Sequence, residues 1–404
     1  MRVSWPRAAG AAFVAGLLAY AFVFAPQVSR TAGREGGPVA ARWGRAAGAR
    51  GGGLTGGLSG GRGGRTGGAR RGGTAAGAQG AGAPVVVTDA RRPFPPTGTK
   101  FVGIMSSTGL GDWSTLDAFT GAVHVQPSVY EFTQGWAVNQ FDGAAIGQVA
   151  ARGMLPLISW EPWDYLDTAP GAQTEGDQPA YRLSNIVDGR FDGYIRSWAD
   201  GVKRLRYTVA IRFAHEMNGN WYPWGMQDLN GNTPAQYVAA WRHVHDIFTQ
   251  VGATNVIWIW SPNVAYRGSS PLAALYPGDR YVNWIGLSGY YGTPGMNAYE
   301  SFNQIFDPTI SQLRAITARP IVITETGATD ADGSMARFVS QMFQQLPQDH
   351  PDVIGVIWYE AVKVVDWRLA THPAAAAAFR RAVAGNPLYD TPWKPGMVPE
   401  ESVP

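Results

Sequence analysis

The sequence predicts an α/β fold: a single (β/α)8 TIM barrel, preceded by an N-terminal hydrophobic segment and a disordered Gly/Arg-rich linker. Eight short apolar runs alternate with longer segments of helical period, which is typical of crossover units in a parallel sheet. Together with the helical segments between and after them, the runs take up about 285 residues, the size of a β/α barrel. Charged, amide and aromatic residues gather where the runs end, and barrel enzymes have their active sites there. A doubly wound sheet is the rival fold, but no Gly-rich phosphate turn follows a strand.

The N-terminal part differs in composition from the rest of the chain. We divide the sequence into a signal peptide or membrane anchor (1–30), a linker (31–95), a catalytic domain (96–390) and a tail (391–404). Residues 8–29 carry no charge, and their number lies between the lengths of a secretory signal and of a spanning helix. Both alternatives predict export of the remainder to the cell envelope or the extracellular space. The absence of cysteine is compatible with that location.

The linker is basic and rich in glycine. Residues 1–99 contain 13 Arg and two acidic residues, so their net charge of +11 leaves −8 on the rest of a chain whose total is +3. Glycine occupies 16 of the 32 positions from 51 to 82, a composition that cannot bury enough apolar surface to fold. We interpret the segment as a flexible tether, compatible with attraction to anionic lipid or envelope polymer. A nucleic-acid-binding tail is the alternative, but the aromatic residues that usually accompany one are reduced here to Trp43.

The predicted strands follow one another through the catalytic domain. They are short and apolar, and segments such as PAQYVAAWRHVHDIFTQVG separate them with apolar residues at helical spacing. In chain order the predicted strands are Phe101–Met105, His124–Tyr130, Leu155–Trp160, Thr208–Phe213, Asn255–Trp260, Trp284–Tyr291, Pro320–Glu325 and Val353–Glu360.

Two glutamates stand at the ends of predicted strands. Glu216 follows the fourth strand, in RFAHEMNGNWYPWG, and Glu325 ends the seventh. Carboxylates about 5–5.5 Å apart suit retaining hydrolysis of a glycosidic bond, with one as acid and then base and the other as nucleophile. A single buried glutamate is more often an ion-pair partner, and Arg212 could pair with either. The presence of two strand-end carboxylates among aromatic rings favours catalysis.

Aromatic residues are concentrated at the same strand ends. The chain has 16 Trp, and sugar rings present flat C–H faces that stack on aromatic rings. We predict that Trp221, Trp224 and Trp358 face a bound sugar, whereas sugar contact and core packing both stay open for Trp160 and Tyr290. The predicted substrate-binding set also contains two polar residues at strand ends, Glu161 and Asn218.

Other chemistries lack their motifs. The residue four positions after His215 is Gly219, so HEMNG is not a zinc-protease helix, and no serine stands in a G-x-S-x-G elbow. Asp330 and Asp332 are too sparse for a calcium loop. We therefore expect neither a metal nor another cofactor.

RFAHEMNGNWYPWG resembles the acid/base motif of glycoside hydrolase family 26, and VITETG resembles the nucleophile strand of that family. The similarity extends from about residue 98 to 385, with both motifs in the family's order and strand positions. It implies a β/α barrel with the activity of β-mannanases and related endoglycanases. By this resemblance Glu216 is the acid/base and Glu325 the nucleophile.

The same resemblance implies supporting roles for four further residues. His215 would hydrogen-bond near the nucleophile, and Arg212 would help to keep it ionised. Tyr290 would lie beside the nucleophile and Trp221 would line the cleft. Three segments, ISWEPWDY, NWYPW and IWYEAVKVVDWRLATHP, are closer to the branch that cuts mixed-linkage β-1,3-1,4-glucan. Typical mannanases have an aromatic residue where Pro223 stands here, so mannan and mixed-linkage glucan both stay open.

The sequence thus predicts a monomeric retaining endo-β-glycanase that hydrolyses a β-1,4-linked polysaccharide by double displacement. Its substrate would be β-mannan, glucomannan or mixed-linkage β-1,3-1,4-glucan. The alternative is a carbohydrate-binding or biosynthesis-associated barrel with little turnover, which the presence of both carboxylates disfavours. The acidic barrel disfavours a nucleic acid as partner. A membrane is a further expected partner if residues 8–29 are retained.

Overall fold

The computed structural model describes residues 92–106, 108–167, 176–226, 230–293, 298–363 and 365–401. The predicted anchor and the predicted linker up to residue 91 lie outside these ranges. Across the described part of the chain, no helix combines the length and the apolar character that crossing a membrane requires.

Eight parallel strands close into a barrel in chain order, and the last of them pairs with the first. The closed parallel barrel confirms the predicted (β/α)8 fold. Nearly every residue of the barrel strands is buried, as expected for a parallel sheet that is covered on both faces. The short strand β1 (Pro93–Phe94) precedes the barrel, whose strands are β2 (Phe101–Ser106), β3 (Val129–Gly135), β4 (Leu155–Glu161), β5 (Val209–Phe213), β6 (Val256–Trp260), β7 (Trp284–Tyr291), β8 (Ile321–Ala328) and β9 (Val353–Glu360), and β10 (Val398–Pro399) follows it.

Helices connect the barrel strands and cover their outer face. They are α1 (Ser114–Val123), α2 (Gly143–Ala151), α3 (Leu183–Val187), α4 (Asp192–Leu205), α5 (Pro234–Val251), α6 (Leu272–Leu275), α7 (Phe302–Arg314), α8 (Met335–Asp349) and α9 (Pro373–Val383). Single turns of 3-10 helix occur at Pro179–Tyr181, Asp279–Tyr281 and Leu369–Thr371.

Helix α5 shows how local sequence sets the bounds of a helix. The Thr233 hydroxyl accepts from the Gln236 N–H, the Gln236 side chain accepts from the Thr233 N–H, and Pro234 occupies the first turn. Gly252 ends the helix with a φ of 80°, which glycine adopts without a steric cost. The buried face recurs at helical spacing and consists of Tyr237, Ala240, Trp241, Val244, Ile247 and Phe248.

The predicted position of the second barrel strand was wrong. The sequence predicts His124–Tyr130, whereas β3 spans Val129–Gly135 and contains Glu131 and Gln134. Glu131 is fully buried and bonded to side chains of other barrel strands. A charged residue in the middle of a buried strand interrupts the apolar pattern on which the prediction depended.

Both ends of the described chain pack at the base of the barrel. β1 pairs in parallel with β10, the Trp284 indole donates to the Glu400 carbonyl at 2.8 Å, and the Thr208 hydroxyl donates to the Met397 carbonyl at 2.8 Å. Trp393 is 1% exposed. The predicted tail therefore belongs to the folded domain as far as residue 401, and residues 92–95 belong to it as well.

Candidate active site

Glu216 follows the C-terminal end of β5 on a sharply turned backbone. Ala214 and Glu216 have φ values of 43° and 54°, in the left-handed region that residues with a side chain rarely adopt. Such a conformation costs about 1–3 kcal/mol per residue and persists only where the surrounding structure holds it. The Glu216 N–H donates to the Ser261 carbonyl at 2.7 Å, and the Ala214 N–H donates to the Trp160 carbonyl at 3.1 Å. Neighbouring strands thus fix the turn that presents Glu216 at the barrel mouth.

Both carboxylate oxygens of Glu216 accept a hydrogen bond. Trp221 Nε1 donates to Oε2 at 2.8 Å, and Asn263 Nδ2 donates to Oε1 at 3.0 Å. Burial raises the pKa of Glu216, and the negative charge of Glu325 raises it further, against the opposing influence of Arg212. A carboxyl group with a raised pKa can hold a proton near neutral pH, as a general acid must.

Glu325 on β8 is bonded to a cation and to a phenol. Arg212 Nη1 donates to Glu325 Oε1, and the Tyr290 hydroxyl donates to Oε2. Burial alone would lower the pKa of Arg212, but the charges of Glu325 and Glu131 raise it, so the guanidinium stays positive. The contacts therefore suit an anionic Glu325, the form that a nucleophile requires.

Arg212 is held in a socket of hydroxyl groups. Its Nε donates to Ser261 Oγ at 2.9 Å, its Nη2 to Ser288 Oγ at 2.5 Å and its Nη1 to Ser159 Oγ at 3.2 Å. Nη1 also donates to Glu131 Oε1 at 3.1 Å. Strands β3, β4, β5, β7 and β8, and Ser261 directly after β6, thus contribute to one buried network around a single guanidinium.

His215 lies next to an aromatic pair and a third carboxyl group. Its Nε2 is 3.1 Å from the Tyr222 hydroxyl and 4.0 Å from Glu161 Oε1. Burial, together with the charges of Arg212 and Lys363, lowers the pKa of His215 well below its usual range, so the ring is neutral. Its hydrogen-bonding neighbours in the described part of the chain do not include Glu325, the residue near which the resemblance places it.

Glu161 ends β4 next to His215. Its Oε2 accepts from Trp163 Nε1 at 2.7 Å, and burial raises the pKa of Glu161 to about 8. Glu161 Oε1 and His215 Nδ1 are buried and have no hydrogen-bond partner among the described residues. Buried polar atoms without partners are uncommon in folded proteins.

Asn218 positions another residue of the site, contrary to its predicted contact with substrate. Its side chain is fully buried and makes two hydrogen bonds of 2.9 Å with the backbone of Asn263, one to the carbonyl and one from the N–H. Because Asn263 donates to Glu216, Asn218 acts on Glu216 through Asn263.

Two of the predicted sugar contacts point away from the barrel interior. Trp160 is fully buried and packs against Trp198 of α4 and Phe248 of α5, in the layer between strands and helices. Trp358 is 1% exposed, and its Nε1 donates to the Trp367 carbonyl at 2.8 Å. Side chains alternate along a strand, so Ser159 and Tyr359 face inward while the neighbouring tryptophans face outward. The prediction for Trp358 was therefore wrong, and of the two alternatives for Trp160 the structure supports core packing.

The remaining aromatic predictions divide into two groups. Trp224 is fully buried, stacks on Tyr222 with ring centroids 4.4 Å apart, and donates to the His215 carbonyl at 2.6 Å, so it packs under the site and does not face a sugar. Trp221 and Tyr290 are 5% and 7% exposed and each donates to one of the two glutamates. Tyr290 thus lies beside Glu325 and Trp221 beside Glu216, and contact of either ring with a sugar stays a prediction.

Three residues of the site were missed by the sequence interpretation. Asn263 follows β6 and could have been found as an amide at a strand end. The Tyr359 ring is 6.0 Å from that of Tyr290, and burial and the charges of Glu325, Glu161 and Glu216 raise its pKa. Glu131 could not be predicted, because nothing in the sequence indicates that it accepts a hydrogen bond from the same arginine, Arg212, as Glu325 does. Within the described ranges, no group of three or more His, Cys, Asp or Glu side chains is arranged to hold a metal ion.

The chain is similar to known carbohydrate-active proteins. Residues 176–353 match the family model described as glycosyl hydrolase family 26. Endoglucanase H of Acetivibrio thermocellus is 32% identical over 250 residues, which are 60% of this chain and 26% of that protein. A mannan endo-1,4-beta-mannosidase of Bacillus subtilis is 26% identical over 287 residues, which are 65% of this chain and 73% of that protein. The chain thus spans about a quarter of the length of Endoglucanase H.

Solved structures share the fold. A beta-mannanase from a symbiotic protist of the termite Reticulitermes speratus, complexed with gluco-manno-oligosaccharide, has a TM-score of 0.54 at 15% identity, over 73% of this chain and 89% of that one. The Bacillus subtilis mannanase has a TM-score of 0.51 at 19% identity, over 74% of this chain and 86% of that one. At these identities the structures support the barrel fold alone.

Proposed function

We propose that this chain, which belongs to glycosyl hydrolase family 26, is a retaining endo-β-glycanase with Glu216 as acid/base and Glu325 as nucleophile. The observation that carries the proposal is the difference between the surroundings of the two carboxyl groups. Burial and two neutral donors surround Glu216, whereas a guanidinium and a phenol bind Glu325. Carboxyl groups in unlike surroundings can divide the roles of acid and nucleophile between them.

The reaction proceeds in two displacements. Glu325 attacks the anomeric carbon while Glu216 gives its proton to the glycosidic oxygen, and the leaving chain departs as an alcohol. Glu216 is then a carboxylate, which the hydrogen bonds from Trp221 and Asn263 stabilise. In the second displacement Glu216 takes a proton from water, the water oxygen attacks the anomeric carbon, and Glu325 leaves as a carboxylate beside Arg212. The two inversions retain the β configuration.

The proposed substrate is a β-1,4-linked polysaccharide: β-mannan, glucomannan or mixed-linkage β-1,3-1,4-glucan. The names of the two relatives, an endoglucanase and a mannosidase, support both glucan and mannan. Incubation with mannan, glucomannan, lichenan, barley β-glucan and xylan, followed by sizing of the products, tests this proposal. Products of intermediate length indicate endo cleavage, whereas release of monosaccharide alone would contradict it.

The nucleophile is tested with Glu325→Ala. We expect no turnover of an activated aryl glycoside, and azide should restore it by giving the glycosyl azide of inverted configuration. The matched variant Glu216→Ala should give the retained β-glycosyl azide, because its nucleophile is intact. Full activity of Glu325→Ala would refute the assignment. Binding of polysaccharide by the unmodified protein without release of reducing ends would favour a carbohydrate-binding barrel with little turnover.

We also propose that the barrel is exported and acts as a monomer outside the membrane, with residues 31–91, the part of the predicted linker that precedes the folded domain, as a tether. The uncharged residues 8–29 and the basic linker support this proposal. Fractionation of cells that express the full chain, with sizing of the protein, tests it. Recovery of the barrel in the cytoplasmic fraction would contradict export.

A further inference from the structure

Four buried carboxyl groups surround one buried guanidinium in the barrel. Arg212 is 0% exposed. The four glutamates are each at most 3% exposed, and they are Glu131, Glu161, Glu216 and Glu325. The charge of Lys363 reaches the cluster from the loop after β9. Four carboxylates against these two cations would leave uncompensated negative charge where little water can solvate it. Some of the four must therefore carry a proton.

The hydrogen bonds of Glu131 all end on one of its two oxygens. Both bonds that it accepts, from Ser159 Oγ at 2.6 Å and from Arg212 Nη1 at 3.1 Å, end on Oε1. Its Oε2 is buried and has no hydrogen-bond partner in the described part of the chain. Either form leaves Oε2 without a partner, but a carboxylate would leave negative charge on this unsolvated atom, which costs more than an unpaired hydroxyl. The acid keeps a carbonyl-like Oε1 that accepts both hydrogen bonds.

The contacts of Arg212 give this protonation a consequence. The same Nη1 that donates to Glu131 also donates to Glu325. We propose that Glu131 is a positioning residue that remains a neutral acid. Its Oε1 holds the guanidinium in place, and the positive charge of Arg212 compensates the negative charge of Glu325. This role in catalysis rests on the proposed function, but the protonation is a property of the resting protein.

The electrostatics of the cluster agree with the geometry. Burial raises the pKa of Glu131 to about 8. The positive charge of Arg212 on β5 lowers this pKa, and the negative charge of Glu325 on β8 raises it. The other titratable groups of the cluster are Glu161 on β4, Glu216 and His215 after β5, Tyr290 on β7, Tyr359 on β9, and Lys363 in the loop that follows.

Glu131→Gln separates the neutral form from the anion. The amide oxygen can accept the same two hydrogen bonds, and the amide nitrogen replaces the protonated oxygen. We expect kcat/KM at neutral pH within about threefold of the unmodified enzyme, because no charge is removed. Glu131→Ala leaves Arg212 and Ser159 without this acceptor and should lower kcat, so the glutamine rescues what alanine loses. If Glu131 is an anion, Glu131→Gln breaks a buried ion pair and should lose at least about 100-fold.

Two measurements that need no substrate follow the proton itself. The pKa of Glu131 in the folded protein, about 8, exceeds the ordinary value of 4.5. Between these two pH values the unfolded chain loses the proton and the folded protein keeps it. The contribution of Glu131 to the free energy of unfolding therefore falls as pH rises through this range. The Tm of Glu131→Gln, relative to the unmodified protein, should therefore rise from pH 5 to pH 8. At pH 6 an infrared carbonyl band of a protonated carboxyl group should disappear in the variant.

The outcomes decide the proposal independently of hydrolysis. A relative Tm that falls with pH, an infrared spectrum without this difference, or a Glu131→Gln protein that does not fold would each overturn it. Glutamine and alanine variants that are equally impaired would do the same. If the unmodified protein does not hydrolyse polysaccharide but the infrared band and the Tm trend are as expected, the proposed function is overturned and the protonation of Glu131 stays supported.

Discussion

Replacing Trp221 by phenylalanine should raise the alkaline pH at which the enzyme loses activity. The indole N–H is one of two donors to Glu216 and lies 2.8 Å from Oε2. Phenylalanine keeps an aromatic ring but removes the donor. The hydrogen bond favours the ionised form of Glu216, so its loss raises a pKa that burial and Glu325 already raise. Since the acid must be protonated to act, activity should persist to higher pH.

The size of the shift follows from the strength of the hydrogen bond. A hydrogen bond to a charged group contributes about 1.5–3 kcal/mol, and one pKa unit corresponds to about 1.4 kcal/mol. The second donor, Asn263, stays in place and solvent can replace part of the lost bond, so we expect the lower end, a shift of about one pH unit. Stability should fall by about 1–3 kcal/mol, since the Trp221 side chain is largely buried.

The assay is kcat/KM from pH 4 to 10 on a soluble oligosaccharide, since this ratio reports groups of the free enzyme. Trp224→Phe is the matched control, because Trp224 lies in the same loop and donates to the His215 carbonyl and not to a carboxyl group. The control should lose stability and keep the alkaline limb in place. An alkaline limb that stays fixed in Trp221→Phe, or that moves to lower pH, would refute the assignment of that limb to Glu216.

Three further predictions concern the acid, its second donor and the base of the barrel. Glu216→Gln should lower kcat on polysaccharide by about 10²–10⁴-fold but affect an aryl glycoside with an acidic leaving group much less; equal losses on both would contradict its role as acid. Asn263→Ala should move the alkaline limb upward, as Trp221→Phe does, and a limb that moves downward would show that Asn263 does not stabilise the carboxylate. Trp393→Ala should lower the free energy of unfolding in urea by about 3–5 kcal/mol and leave kcat of the folded protein unchanged. The control Val398→Ala, at a half-exposed position, should change that free energy far less, and similar losses for both would argue against a packed C-terminal segment.

The positions of the two catalytic candidates follow from the sequence. The C-terminal ends of parallel strands meet at one face of a barrel, so Glu216 after the fourth barrel strand and Glu325 on the seventh must lie at the same mouth. Arg212 is within reach because it lies on β5, close to Glu216 in the sequence. These relations require only the order of the strands, which the alternation of apolar runs and helical segments provides.

The direction of each side chain at the mouth could not be obtained in the same way. Trp160 and Glu161 are neighbours on β4, yet one packs against helices and the other faces the site. Strands buried on both faces lack the alternation of apolar and polar residues that would show which face is inner. Trp358 was misassigned for the same reason, and Trp224 because its packing on Tyr222 depends on a folded loop.

Glu131 separates the features that the apolar pattern predicts from those that depend on contacts between strands. The apolar pattern establishes a barrel, its strand order and two carboxyl groups at its mouth. A third glutamate in the middle of a strand weakens that pattern, and its burial is tolerated because Arg212 and Ser159, distant in the sequence, provide its donors. Burial and charge pairing are set by contacts between strands, so the protonation of the cluster exists only in the closed barrel.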